Sequence, residues 1–308
     1  MRKPRSQESA SRAPIATSLL ARMNRKRILA DPRLSAPGTV HETSEALQAT
    51  VAGIREFNGL HPTHAAYVYS HNSVSALAEK FTSWAEMKAF VEIVARAEDV
   101  YMPSGPPMSP ITTSYFTCWS FFDACAGPAN ETIGSVLLEL CGHFCIGNEL
   151  SRLIRIMQES RMGFYINRGR QGDLVILEEL VTGAVCTAIV PAGDPGHLGE
   201  LWYVRVLPPP FSSGSTHVVF TTPYIVLKPE PPEWLAYFSR ALPSRSAVND
   251  YERHMKFGPT RNHWTDFVFE GYVNYSAGAI YLAGVPDLPA TRPQSAVNQS
   301  FNRNALKL

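Results

Sequence analysis

The stretch GELWYVRVLPPP, residues 199–210, decides the fold class. Side chains alternate across a strand. Trp202, Val204 and Val206 therefore share one face, and Leu201, Tyr203, Arg205 and Leu207 share the other. The first set is wholly apolar, as the inside of a small barrel requires. The second is mixed, which places Tyr203 and Arg205 near solvent or against a helical part. Pro208, Pro209 and Pro210 donate no ladder hydrogen bonds, so the strand stops there.

The same alternation extends on both sides. From Met162 the sequence contains five strand-like runs: Gly163–Asn167, Asp173–Leu180, Ala184–Val190, Leu201–Leu207 and His217–Leu227. Gly169, Gly172, Gly183 and the PAGDPG and SSGS stretches punctuate them. Short consecutive strands with tight turns predict an antiparallel meander or small barrel over 161–230. Closing the barrel would remove edges that invite aggregation.

Upstream the period is helical, and 44–160 reads as a helical region. TSWAEMKAFVEIVARAED carries a capping-box spacing at Ser83 and Glu86. Trp84, Met87, Val91 and Val94 then fall on one face, with Phe90 beside them. SYFTCWSFFDACAG is dense in aromatics and is read as a buried helix stopped by Gly127 and Pro128. Asn130 and Asn148 are the expected N-caps of two further helices. The second of these turns Leu150, Leu153, Ile154 and Met157 inward.

Downstream, 231–291 reads as helices with one further strand at GAIYLAGV. In PPEWLAYFSRAL the inward positions are Trp234, Leu235, Phe238 and Leu242. The next helix ends at Gly258 and Pro259. Residues 1–43 are basic and rich in Ser and Pro, and are expected to be a disordered tail. A transit peptide and a basic arm for nucleic acid are the other readings of that composition. Residues 292–308 are polar and are read as a second disordered tail. The overall expectation is an α+β protein.

Composition narrows the function classes. The 308 residues carry a net charge of +1, which argues against a whole-protein attraction to nucleic acid or anionic lipid. Five cysteines, an odd number, do not make a disulfide framework and suit a reducing, cytoplasmic compartment. No apolar run is long enough for a membrane span, and no secretory signal opens the chain, so no membrane partner is expected.

Candidate chemistry is sparse. CGHFC holds Cys141, His143 and Cys145, but helical spacing points His143 away from the cysteines, and no metal or cofactor is expected. Cys118, beside Trp119, reads as a buried and inert thiol. The sequence has no G-x-S-x-G elbow, phosphate loop or dinucleotide fingerprint. Two polar clusters remain. His263, Asp266 and Glu270 lie close in sequence, and the carboxylates are four apart on one helix face, a pattern compatible with acid–base work in a hydrolase or nuclease. His217 and Thr221 share a strand face and join Tyr203 and Arg205 as candidate contacts for a binding surface.

Several stretches together carry a resemblance: PPMSPITTSYFTCWSFFD, GELWYVRVLPPP, HVVFTTPYIVL, YERHMKFGPTRNHW and IYLAGVPDLPATRPQS. Over about 100–295 the chain resembles a family of bacterial proteins to which no activity is assigned. That likeness implies a soluble bacterial protein and transfers no catalytic residue. The order VILEELVTGAVCTAIV then GELWYVRVLPPP is also similar to a small strand-rich unit of some proteins with the SEC-C metal-binding motif. There a cysteine-rich C-terminal tail binds zinc, whereas the last cysteine here is Cys186. The function expected first is a non-catalytic binding module, with a protein or single-stranded nucleic acid as partner. The alternative is the hydrolase or nuclease.

Overall fold

The switch of period at Met162 is real in the computed structural model, which describes residues 13–30, 59–103, 108–144, 146–191, 195–210, 214–242, 248–276 and 278–286. Helices α1 (Ile15–Ala30), α2 (Pro62–Phe81), α3 (Lys88–Tyr101), α4 (Thr113–Phe122), α5 (Ile133–His143) and α6 (Asn148–Glu159) precede it. Strands β1 (Met162–Gln171), β2 (Leu174–Glu179), β3 (Val185–Ile189), β4 (Leu201–Leu207), β5 (His217–Val219) and β6 (Tyr224–Lys228) follow. Helices α7 (Pro231–Ala241), α8 (Val248–Phe257) and α9 (His263–Gly271) come next, then a hairpin of β7 (Tyr272–Ser276) and β8 (Ala279–Ala283). The protein is α+β, as the patterning requires.

Five strands close a barrel. Strand β1 pairs with β2, β2 with β3, β3 with β5, β5 with β4, and β4 returns to β1. The β3–β5 seam is parallel, so the barrel is antiparallel everywhere else. Its interior holds Val175, Leu177, Ala188, Trp202, Val204 and Val219, all buried. Trp202 is wholly enclosed, and its indole N–H donates to Glu200 at 3.1 Å. Gly196 makes room for that ring. Its φ is +66°, and a Cβ there would lie 2.5 Å from the Trp202 ring.

The run 217–227, read from sequence as one strand, is two. Phe220 to Pro223 form a corner between β5 and β6. Pro223 lacks an N–H and cannot continue the ladder. The Thr221 side chain replaces the lost partner, accepting from the Arg205 N–H at 3.0 Å. Strand β5 then closes the barrel, while β6 continues along β4 and takes β8 as a parallel neighbour. Strands β6, β8 and β7 thus extend the sheet outside the barrel.

Two further cores flank the barrel. One joins α1, α2, α5 and α6 to Leu207 and Val218. The other packs α4 and α7–α9 on the outer faces of β1, β4, β6 and β8. Phe164 and Trp234 meet there with ring centroids 4.1 Å apart.

Local expectations are corrected in several places. Residues 15–30 are helical rather than a free tail. Ile15, Ala16 and Leu19 are buried, and the Glu131 carboxylate accepts from the Ile15 and Ala16 N–H groups at 2.5 and 3.0 Å. Arg22 pairs with Glu86 at 2.8 Å. Glu86 is thereby diverted from the capping box expected with Ser83, and a 3-10 turn at Ala85–Met87 precedes α3. Val91 is 41 % exposed, because α3 turns Phe90, Ala97 and Tyr101 inward instead. The N-caps are Thr132 and Gly147, not Asn130 and Asn148, and Thr132 forms a reciprocal cap with Ser135. The aromatic helix α4 ends at Asp123, short of Gly127. In α7, Tyr237 takes the inward position expected for Leu235. Residues 1–12, 31–43 and 292–308 lie outside the described residues.

Trp202 is the largest side chain in the barrel. Trp202→Ala is expected to cost about 3–5 kcal/mol in urea unfolding. Val185→Thr, on the exposed side of β3, is expected to stay within about 0.5 kcal/mol.

Candidate functional site

The outer face of β4 is not open. Tyr203 and Arg205 are 0 % and 1 % exposed, so neither can serve as a surface contact. Helices α4, α8 and α9 cover them. The apolar residues at both ends of that face, Leu201 and Leu207, were the available signal. A strand buried on both sides reads as nearly continuous apolar sequence.

Beneath the helices, Arg205 joins a buried charge cluster. Asp123 follows directly on α4. Its carboxylate accepts from Arg205 through one oxygen and from Lys256 of α8, at 3.0 Å, through the other. Ser160 supplies two further acceptors: its hydroxyl takes Arg205 Nη1 at 3.2 Å and its carbonyl takes Lys256 Nζ at 2.8 Å. Burial lowers the Lys256 pKa, and Asp123 opposes that shift. Cys118 lies nearby, and burial pushes its thiol up to about 11, which keeps it protonated and a poor nucleophile. Neither Asp123 nor Lys256 was singled out from sequence. The signal was one isolated acid in the aromatic run 115–126, and one lysine next to the inward-facing Met255.

A small cavity borders this cluster. Tyr115, Asp123, Tyr203, Lys256, Arg261 and Thr265 contribute to its walls. The hydroxyls of Tyr203 and Thr265 are buried, and both are directed at the Tyr115 hydroxyl.

A second polar group lies at the α7–α8–α9 junction. The Tyr237 hydroxyl sits between His254 Nε2, at 2.9 Å, and His263 Nε2, at 3.0 Å. The hydroxyl has one proton to give. Neutral imidazoles therefore suit this arrangement when one accepts and the other donates. Gly258, with φ +61°, brings the two histidines together, because a Cβ there would lie 2.5 Å from His263 Cβ. Burial lowers the His254 pKa.

The remaining sequence candidates are dispersed. Asp266 accepts from the Tyr101 hydroxyl, whereas His263 turns to Tyr237. Glu270 lies one helical turn beyond Asp266, partly exposed. His217 is half-buried at one end of the barrel, and Thr221 is buried in the strand corner. The two do not share a strand face, because the chain bends between them. Among the described residues no group of three His, Cys, Asp or Glu side chains could hold a metal ion. Cys145 lies outside those residues. Among the described residues no helix is long and apolar enough to cross a membrane.

The uncovered part of the barrel is the end of β1 with the outward sides of β2 and β3. Arg168, Arg170 and Gln171 are exposed there, and Val185 is 63 % exposed. Leu198, in the loop beside β1, is 76 % exposed and approaches Gly169. Arg168 pairs with Glu178 across the strands at 2.8 Å. The class these features define is an α+β protein built on a five-stranded barrel clasped by helices on one side. No family model, curated protein or solved structure matches the chain.

Removing one partner of a buried ion cluster strands the rest. Asp123→Asn is expected to cost about 3–5 kcal/mol in denaturant unfolding. The partly buried histidines predict an acid limb. His64, His71, His217 and His254 all have folded-state pKa values held below 6.5, in each case chiefly by burial. Their contribution to stability is complete above pH 6.5 and is lost as the pH falls through the lowered values. Melting temperature should therefore drop below that pH, and His254→Gln should flatten part of the slope.

Proposed function

We propose that the chain is a non-catalytic binding module whose contact surface is the uncovered barrel wall formed by the end of β1 with β2 and β3. One observation carries this reading. Helices cover the outer sides of β4 and of the first half of β1, while the two most exposed large apolar side chains among the described residues, Leu198 and Val185, belong to the uncovered side. Apolar side chains left exposed together on one uncovered wall are a feature of protein contact sites.

A protein partner fits this wall better than single-stranded nucleic acid. Single-strand binders offer aromatic platforms for bases and a basic groove for the backbone. Here the exposed apolar groups are aliphatic, one of the arginines is already paired with Glu178, and the whole chain is close to neutral. The hydrolase or nuclease reading is weaker, because His263 and Asp266 are engaged by different tyrosines.

A photo-crosslinking residue placed at position 185 or 198 should capture one discrete protein, and the same residue at 91 or 235 should not. Val185→Glu with Leu198→Glu should abolish that capture with the melting temperature unchanged. Tight binding of a single-stranded oligonucleotide that survives the double substitution would overturn the assignment.

A further inference from the structure

We infer that the groove between α2 and α3 is a binding site for a hydrophobic amine, a compact apolar body carrying an ammonium group. The two helices follow each other in the chain, joined through the 3-10 turn at Ala85–Met87, and a cavity of about 370 Å³ lies between them. Small-molecule sites enclose ~300–1,000 Å³. Phe121 of α4 and Ile133 of α5 complete the lining. Among the described residues, β2 and β3 contribute nothing to it, so this site and the barrel wall stand or fall separately.

The surface of the groove is largely apolar. Phe90, Val94, Phe121 and Ile133 line it, and Val91 lies beside them with 41 % of its surface exposed. Val94 and Phe121 are only half-buried. An aliphatic group and an aromatic ring therefore meet water where the helices form a concave wall. A guest whose body covers Val91, Val94 and Phe121 removes apolar surface from water, and that burial is the main source of its affinity.

Charge selects the head group. Glu79 of α2 and Glu98 of α3 both contribute to the walls, whereas no Lys, Arg or His among the described residues does. Nearby acids are matched, Glu86 by Arg22 and Glu92 by Lys88. Glu79 and Glu98 have no cation within ion-pair distance among the described residues. An apolar site whose charges are two carboxylates accepts an ammonium and repels an anion of the same shape. Both carboxylates are exposed, so each contact adds modestly to affinity, and their joint effect is selectivity.

The test is calorimetric titration of the full chain with octylammonium, octanol and octanoate, guests that share a chain and differ in head group. Octylammonium should bind one to one and several-fold more tightly than octanol, and octanoate more weakly than either. Glu79→Lys with Glu98→Lys, both at exposed and unpaired positions, should reverse the order of ammonium and carboxylate with the melting temperature unchanged. Val91→Arg should abolish octylammonium binding, again without loss of stability. No binding of octylammonium, equal affinities for the guests, or an order that survives the double charge reversal would overturn the site. Binding untouched by Val91→Arg would do so as well. So would a dimer in sedimentation that Val91→Arg splits, because a second copy of the chain would then occupy the groove.

Discussion

The Asp123 carboxylate holds together three parts of this chain that are far apart in sequence. It stands at the end of an aromatic helix, grips Arg205 on the central barrel strand, and receives Lys256 from a C-terminal helix. Hydrophobic burial brings these elements near one another without fixing their alignment, because apolar contact is non-directional. A carboxylate with one cation on each oxygen is directional. It fixes the level at which α4 and α8 sit on the outer face of β4. Arg205 is too long to be enclosed there without a partner, so the helical cover and the charge cluster require each other.

A second buried pair lies next to the first and works in the same manner. Arg161, just before β1, bonds Glu179 at 2.7 Å, and its guanidinium lies over the Tyr251 ring at 4.6 Å. The Thr182 hydroxyl also donates to Glu179, at 2.5 Å. Helix α8 therefore meets the barrel through Tyr251 at one end and Lys256 at the other. That double attachment reaches β4 through Arg205 and the last residue of β2 through Glu179, whereas the outward side of β3 at Val185 is left exposed.

The sequence disclosed the fold through its periods. The alternation in LWYVRVL correctly placed Trp202 and Val204 inside the barrel, and the paired glycines marked its hairpins. The same alternation could not say what covers the other face. Tyr203 and Arg205 look like surface residues until Asp123 and Lys256, 82 and 51 positions away, are placed beside Arg205. Distant pairing also explains α1. Its composition is that of a tail, and only the Glu131 carboxylate and the apolar groove that takes Ile15 and Leu19 make it a helix. The Thr221–Pro223 corner was written locally, since a proline inside a strand run announces an interruption. The candidate sites were the least legible, because His254, Tyr237 and His263 acquire their arrangement only when three helices meet.

The handover at Pro223 bears on how the polypeptide matures at the ribosome. Strand β6 obtains one neighbour from β4, made before it, and the other from β8, whose last residue is Ala283. From Lys228 to Ala283 about 55 residues must be polymerised, which at ~5–20 residues/s takes about 3–11 s. Throughout that interval the barrel has every seam it needs, while one row of peptide groups on β6 stays unmatched. One edge of the nascent chain thus stays open to mispairing even after its barrel is complete, and it is the last hairpin to emerge that ends the exposure.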